Sequence, residues 1–188
     1  RWVVLSVTFQ VRQAYMSHPI AYKQLANHLG VELGDRVEAT DLRQAVLELR
    51  RSKGMVLDPA DHNTWSSGSF FTNPVLTQEQ ADKLPSQAPR FEVTDHSMIV
   101  GTRPAPVVPG LVKTSAAWLI QHAGFGPGFA LDDAAPASLS TVHVLAITNR
   151  GNASAGDIEA LAKTVIAGVR DKYGLTLVPE PVRVGLDF

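Results

Sequence analysis

Cysteine is missing altogether from this chain of 188 residues, which excludes a disulfide framework and any thiolate metal site. An excess of one charge is missing too: 17 Lys and Arg stand against 18 Asp and Glu. No basic surplus therefore points to nucleic acid as a partner. A local pair of cations can still hold an anionic small molecule, because binding follows the local field and not the total. No apolar run approaches the roughly 20 residues of a membrane-spanning helix. The phosphate loop, GxGxxG, HExxH and GxSxG patterns are all absent. The six histidines do not fall at metal-ligand spacing.

What is present is a foldable chain. Hydrophobic residues make up 45%, and a chain of this size buries roughly 70% of its unfolded surface. Val3, Leu5, Val7 and Phe9 alternate with more polar neighbours, the period of a half-buried strand. Ser17 before His18 and Pro19 marks a helix entry, and Gly30 a helix end. Leu42, Ala45, Val46 and Leu49 form the stripe of a second helix, with Thr40 as its cap and Gly54 as its terminator. Thr77 with Gln80 spells a capping box for a short helix. Residues 85–110 read as an irregular connection with one short strand, SMIVG, at 97–101. A helix follows over about 114–123, then a strand over 140–149. Ser154 and Asp157 open the strongest helix, whose stripe runs from Ile158 to Val169 and which ends near Gly174. The order is α+β, not a regular βαβ series. The chain opens on Arg1 and enters an apolar stretch directly, so we expect it to be the C-terminal part of a longer protein.

The chemistry-bearing stretch is SSGSFFTNP, residues 66–74. Ser69, Phe71 and Asn73 share one face if the stretch is a strand, so Ser69 and Asn73 could reach one ligand. A turn serine and a pre-proline asparagine would look the same. Lys53 could neutralise a phosphate or be a solvated lysine at a helix end. Glu180 lies between Pro179 and Pro181, and the following proline presses it towards extended backbone. A carboxyl so fixed suits placement against a substrate, although an acid on a kinked edge strand would have the same neighbours. His143 interrupts an apolar strand, a place where histidines serve either packing or a ligand.

Several segments together resemble one family: LELRRSKGMVLD, SSGSFFTNPV, VKTSAAWLIQHAGFGPG, LSTVHVLAITNRGNAS and LVPEPVRVG. In this order and spacing the chain resembles the C-terminal region of the MurB family, the UDP-N-acetylenolpyruvoylglucosamine reductases of peptidoglycan synthesis. GSFFxNP is the most specific of the motifs. The resemblance implies a substrate-binding domain of mixed and antiparallel strands with about five helices. It implies an NADPH- and FAD-dependent oxidoreductase acting on UDP-N-acetylglucosamine enolpyruvate, cytoplasmic and monomeric, with the flavin held by a preceding domain. Ser69 corresponds to the proton donor to C2 and Glu180 to the acid that stabilises the intermediate. Lys53 and Asn73 map to substrate contacts, and His143 aligns with a polar substrate contact.

On this reading residues 1–16 end the preceding FAD-binding domain as a strand. Residues 17–176 form the substrate-binding domain, and 177–188 are a tail carrying Glu180. The chain alone should not turn over. Ala105 and Ala117 depart from the family's usual aromatic and glycine, so the uridine contacts differ. Two rivals stand beside the reductase. One is a non-catalytic UDP-sugar-binding module. The other is a serine hydrolase using Ser69 with His62 or His143 as base.

Overall fold

The computed structural model describes residues 3–95, 97, 105–182 and 185. Two compact units divide between Ser52 and Lys53.

The first unit is built on two helices, α1 (Lys23–Leu29) and α2 (Ala39–Arg51). Gly30 ends α1 in the left-handed conformation, where a residue without Cβ pays no steric cost. Ser17 does not cap that helix. Its hydroxyl accepts the Val37 N–H at 3.2 Å and donates to the His18 carbonyl, which ties the chain before α1 to the chain before α2. Glu38, not Thr40, stands at the N-cap of α2. Ile20, Ala26 and Ala45 are the buried apolar residues of this unit. Residues 3–14 carry no strand, and Leu5 is 92% exposed. The alternation is there, but an extended segment needs a partner to pair its backbone groups, and residues 3–14 meet none among the described residues.

The second unit holds two three-stranded antiparallel sheets. One runs β1 (Ser66–Ser69), β6 (Ala146–Asn149), β5 (Ala137–Leu139), with β6 in the middle. The other runs β2 (Val75–Thr77), β4 (Val107–Lys113), β3 (Phe91–Thr94), with β4 in the middle. Helix α3 (Gln78–Asp82) follows β2, α4 (Ala116–His122) follows β4, and α5 (Ala155–Tyr173) closes the unit and packs on β5 and β6. The architecture is α+β with five α-helices among the described residues, as expected. None of the described helices is long and apolar enough to cross a membrane.

The core forms where α5 lays Leu161, Ala162, Val165 and Val169 against the first sheet. All four are fully buried, as are Leu139, Leu119 and Ile120. Phe70 and Phe71 join the same core, edge to face with ring centroids 5.2 Å apart. The pair after Ser69 is thus the anchor that fixes where the serine stands.

The expected capping box of Thr77 with Gln80 is present, and Ser154 with Asp157, expected to open α5, forms a second one. Ser154 Oγ donates to Asp157 Oδ2 at 2.6 Å and accepts the Asp157 N–H at 3.3 Å. Ser154→Ala removes a helix cap and should lower unfolding stability by about 1 kcal/mol, measured by urea denaturation. Those bonds from the Ser154 hydroxyl and backbone N–H lower the Asp157 pKa. The stability they contribute is full above the ordinary carboxylate range and is lost as pH falls through the lowered value.

The 85–110 stretch contains more regular structure than expected. Phe91–Thr94 and Val107–Lys113 pair as β3 and β4, with a register shift between Glu92 and Thr94. Pro109 lies within β4, and a proline inside a sheet is accommodated where the ladder is irregular. The expected strand SMIVG lies outside the described residues except for Ser97. The expected strand over 140–149 is shorter: β6 begins at Ala146, and residues 140–145 form a turn.

Candidate functional site

Ser69 is the last residue of β1, opposite Ala146 on β6, after a register shift along that pair. The strand does not continue through Asn73, so the shared face expected for Ser69 and Asn73 is not formed. Phe71 instead turns into the core at 2% exposure. Asn73 Oδ1 accepts the Ala116 N–H at 2.9 Å, at the start of α4. One orphan donor of a helix end is satisfied in this way. The bond also fixes the amide, because only the oxygen can accept from a backbone N–H. Asn73 Nδ2 takes no part in that contact and has no hydrogen bond among the described residues.

Ser69 Oγ lies 3.3 Å from Nε2 of His143. The histidine reaches it from the 140–145 turn, and the reason is local. Ser140 Oγ accepts the N–H groups of Val142 and His143, both at 3.2 Å. Side-chain bonds of this kind compete with the strand ladder and hold a turn in its place. Asn63 secures the same turn from outside: its Oδ1 accepts the Thr141 N–H at 3.0 Å and the Thr141 hydroxyl at 3.1 Å. Asn63 and Ser140 are positioning residues that sequence reading missed. An asparagine in HNT gives no local signal, since its partners lie more than seventy residues away in the chain, whereas Ser140 bonds N–H groups two and three residues on, a turn that the apolar pattern of 140–149 masks.

Lys53, the first residue of the second unit, lies close enough to act on the same ring. Its charge and the burial of the imidazole both lower the His143 pKa, burial being the larger cause. The ring is therefore held towards its neutral form. Lys53→Gln removes the repulsive charge and should raise the His143 pKa while leaving it below the free value, because burial remains. An NMR titration of the ring Cε1 proton measures this; an unchanged midpoint would remove Lys53 from the site.

The tail brings Glu180 beside the serine. Phe71 and Pro179 form an antiparallel bridge. The Glu180 N–H donates to the Phe70 carbonyl at 2.9 Å, and the Thr72 N–H donates to Val178. Glu180 is thus pinned by backbone opposite the residue that follows Ser69, with its side chain exposed. A groove of about 450 Å³ opens beside β1, lined by Trp65, Ser66, Ser67, Phe70, Asn149 and Ile158, and its lining includes none of Ser69, His143, Lys53 or Glu180. The fold brings Ser69, His143 and the charge of Lys53 together at the end of β1 and pins the Glu180 backbone to Phe70, while Asn73 bonds the start of α4.

The α+β domain thus sets a hydroxyl in contact with an imidazole, an ammonium close enough to act on that ring, and an acid pinned by its backbone to Phe70. Among the described residues no group of three His, Cys, Asp or Glu is placed to hold a metal. The profile of the UDP-N-acetylenolpyruvoylglucosamine reductase C-terminal domain matches residues 58–184, and the chain belongs to that family. Among curated relatives, the UDP-N-acetylenolpyruvoylglucosamine reductase of Cutibacterium acnes is 54% identical over 98% of this chain and 45% of its own length. The reductases of that name from Streptomyces coelicolor and Thermobifida fusca are 51% and 49% identical, each over 99% of this chain and 47% and 50% of their own lengths. The chain spans about half the length of the curated relatives it matches.

Proposed function

We propose that this chain is the substrate-binding C-terminal part of an NADPH- and FAD-dependent reductase of peptidoglycan synthesis, which converts UDP-N-acetylenolpyruvoylglucosamine to UDP-N-acetylmuramate. The observation that carries the reading is the contact of Ser69 with His143, both within the stretch matched to the reductase family, together with the charge of Lys53, a few residues before that stretch, acting on the ring. The N-termini of α3, α4 and α5 already carry side-chain caps, from Thr77, from Ser115 with Asn73, and from Ser154, and these occupy donors that a dinucleotide diphosphate would use. In this reading the cofactor belongs to the preceding half of the protein, and no residue here is assigned to hold it.

Reduction of the enolpyruvyl ether places a hydride on C3 and a proton on C2. Ser69 is the proton donor to C2. A hydroxyl is a weak acid, but the carbanion-like centre it meets is a strong base, so placement counts for more than acidity. The Phe70–Phe71 anchor supplies that placement. Glu180 in its protonated form donates a hydrogen bond to the substrate carboxylate, where negative charge grows. Lys53 offsets the diphosphate, and the unused Asn73 Nδ2 is a donor for the same ligand. The test is binding followed by turnover: the full-length protein should bind UDP-N-acetylenolpyruvoylglucosamine and reduce it with NADPH. A protein that binds the UDP-sugar and never reduces it is the binding module instead.

The Ser69–His143 contact also suits nucleophilic catalysis, where a base takes the serine proton. No hydrogen bond orients the other ring nitrogen of His143 in the structure, so the third member of such a triad is lacking among the described residues. A fluorophosphonate probe should leave Ser69 unlabelled.

A further inference from the structure

Each turnover of the proposed reaction takes one proton from Ser69, and the serine must be recharged before the next. Ser69 is half-buried, its Oγ touches one titratable group, and that group is the partly exposed His143 ring at 3.3 Å. One edge of the ring faces the serine, while the rest keeps a path to solvent. The turn behind the ring is fixed twice, by Ser140 and by Asn63. That is more restraint than a passive substrate contact requires.

We infer that His143 is the proton relay of this site, passing a solvent proton through Nε2 to Ser69 Oγ as Ser69 gives its own to C2. The inference rests on the reading of Ser69 as proton donor. The balance closes without a further reagent. The Ser69 O–H bond breaks and a C2–H bond forms. The imidazolium Nε2–H bond breaks and the Ser69 O–H bond is restored. The neutral ring then regains a proton from water, so one solvent proton is consumed per turnover.

The electrostatics give the relay its timing. Among the described residues Lys53 is the charged group acting on the ring, and Ser69 is its hydrogen-bonded neighbour. Without ligand the ring is held towards neutral. A ligand bearing a carboxylate and a diphosphate offsets Lys53, which favours the imidazolium. The ring therefore takes up its proton as the substrate arrives.

The test uses the full-length holoenzyme with His143→Gln, His143→Ala and Ser69→Ala. Glutamine can still hydrogen-bond Ser69 but cannot carry a proton. His143→Gln should slow the substrate-dependent half-reaction by roughly 10²-fold, and added imidazole should restore part of the rate to His143→Ala. The NADPH-dependent half-reaction should be unchanged in all three, which also shows that each variant has folded. A second readout needs no turnover: the His143 ring should titrate at higher pH with saturating UDP-N-acetylmuramate than without it. His143→Gln at the wild-type rate, or a midpoint that stays put or falls on binding, overturns the relay while Ser69 keeps its role if Ser69→Ala is slow. Ser69→Ala at the wild-type rate removes the serine reading itself, and the relay with it.

Discussion

Ser69→Ala in the full-length enzyme should lower kcat and kcat/KM together by roughly 10² to 10⁴-fold, a barrier higher by about 3 to 5 kcal/mol. The equal fall follows because the hydroxyl acts on the transition state and contributes little to holding the substrate. Folding should be untouched. The side chain is half-buried, its partner is the His143 ring, and the strand is held by the neighbouring Phe70 and Phe71 in the core. Substrate affinity and reduction by NADPH should stay near wild type, which separates this variant from one that has merely loosened the site. A variant that lost affinity and kept its bound-state rate would make Ser69 a substrate contact and nothing more.

Gly54→Ala should destabilise the protein by about 2 to 4 kcal/mol and should also slow turnover, although residue 54 carries no chemistry. Two costs add at this position. Gly54 has φ +67, where a side chain is strained, and an added Cβ would stand 2.9 Å from the Asn63 carbonyl oxygen. That oxygen is backbone, so it cannot swing aside as a side chain would. Asn63 holds the turn that presents His143, and Lys53 is the residue next to Gly54. The displacement is therefore delivered to the site itself. Gly30→Ala is the control: φ is +69 there as well, but nothing lies within 4 Å of the added Cβ. It should show the dihedral cost alone, about 1 to 2 kcal/mol, with turnover unaffected. Urea denaturation and steady-state rates on the pair separate strain from contact, and equal losses in the two variants would remove the role given to Asn63.

Elements whose signals are local were legible before any coordinates. The capping boxes at Thr77 and Ser154, the stop at Gly30 and the apolar stripe of α5 each depend on residues within one or two turns. β3 and β4 were not, because Pro109 and Gly110 break the alternation that marks a strand, and only pairing across the sheet restores it. The alternation from Val3 to Phe9 reads as a strand and forms none, since a strand is a property of a pair. The site divides in the same way. Ser69, Lys53, Glu180 and His143 were named by residue type and by family resemblance, yet what joins them is tertiary. The 140–143 turn is made by Ser140 and Asn63, and Glu180 is set by a backbone bond to Phe70. Asn73 shows the opposite case. Its partner is a helix start forty-three residues further on, a demand that strand periodicity around Ser69 could not reveal.

The most direct test of the central claim is the isotopic labelling of the product. The full-length enzyme is given UDP-N-acetylenolpyruvoylglucosamine and NADPH in heavy water, and the lactyl group is read by NMR. The account predicts UDP-N-acetylmuramate with one solvent deuteron at C2, the position Ser69 protonates, and hydride-derived hydrogen at C3. Failure to form product, or solvent deuterium at C3 with none at C2, would contradict it.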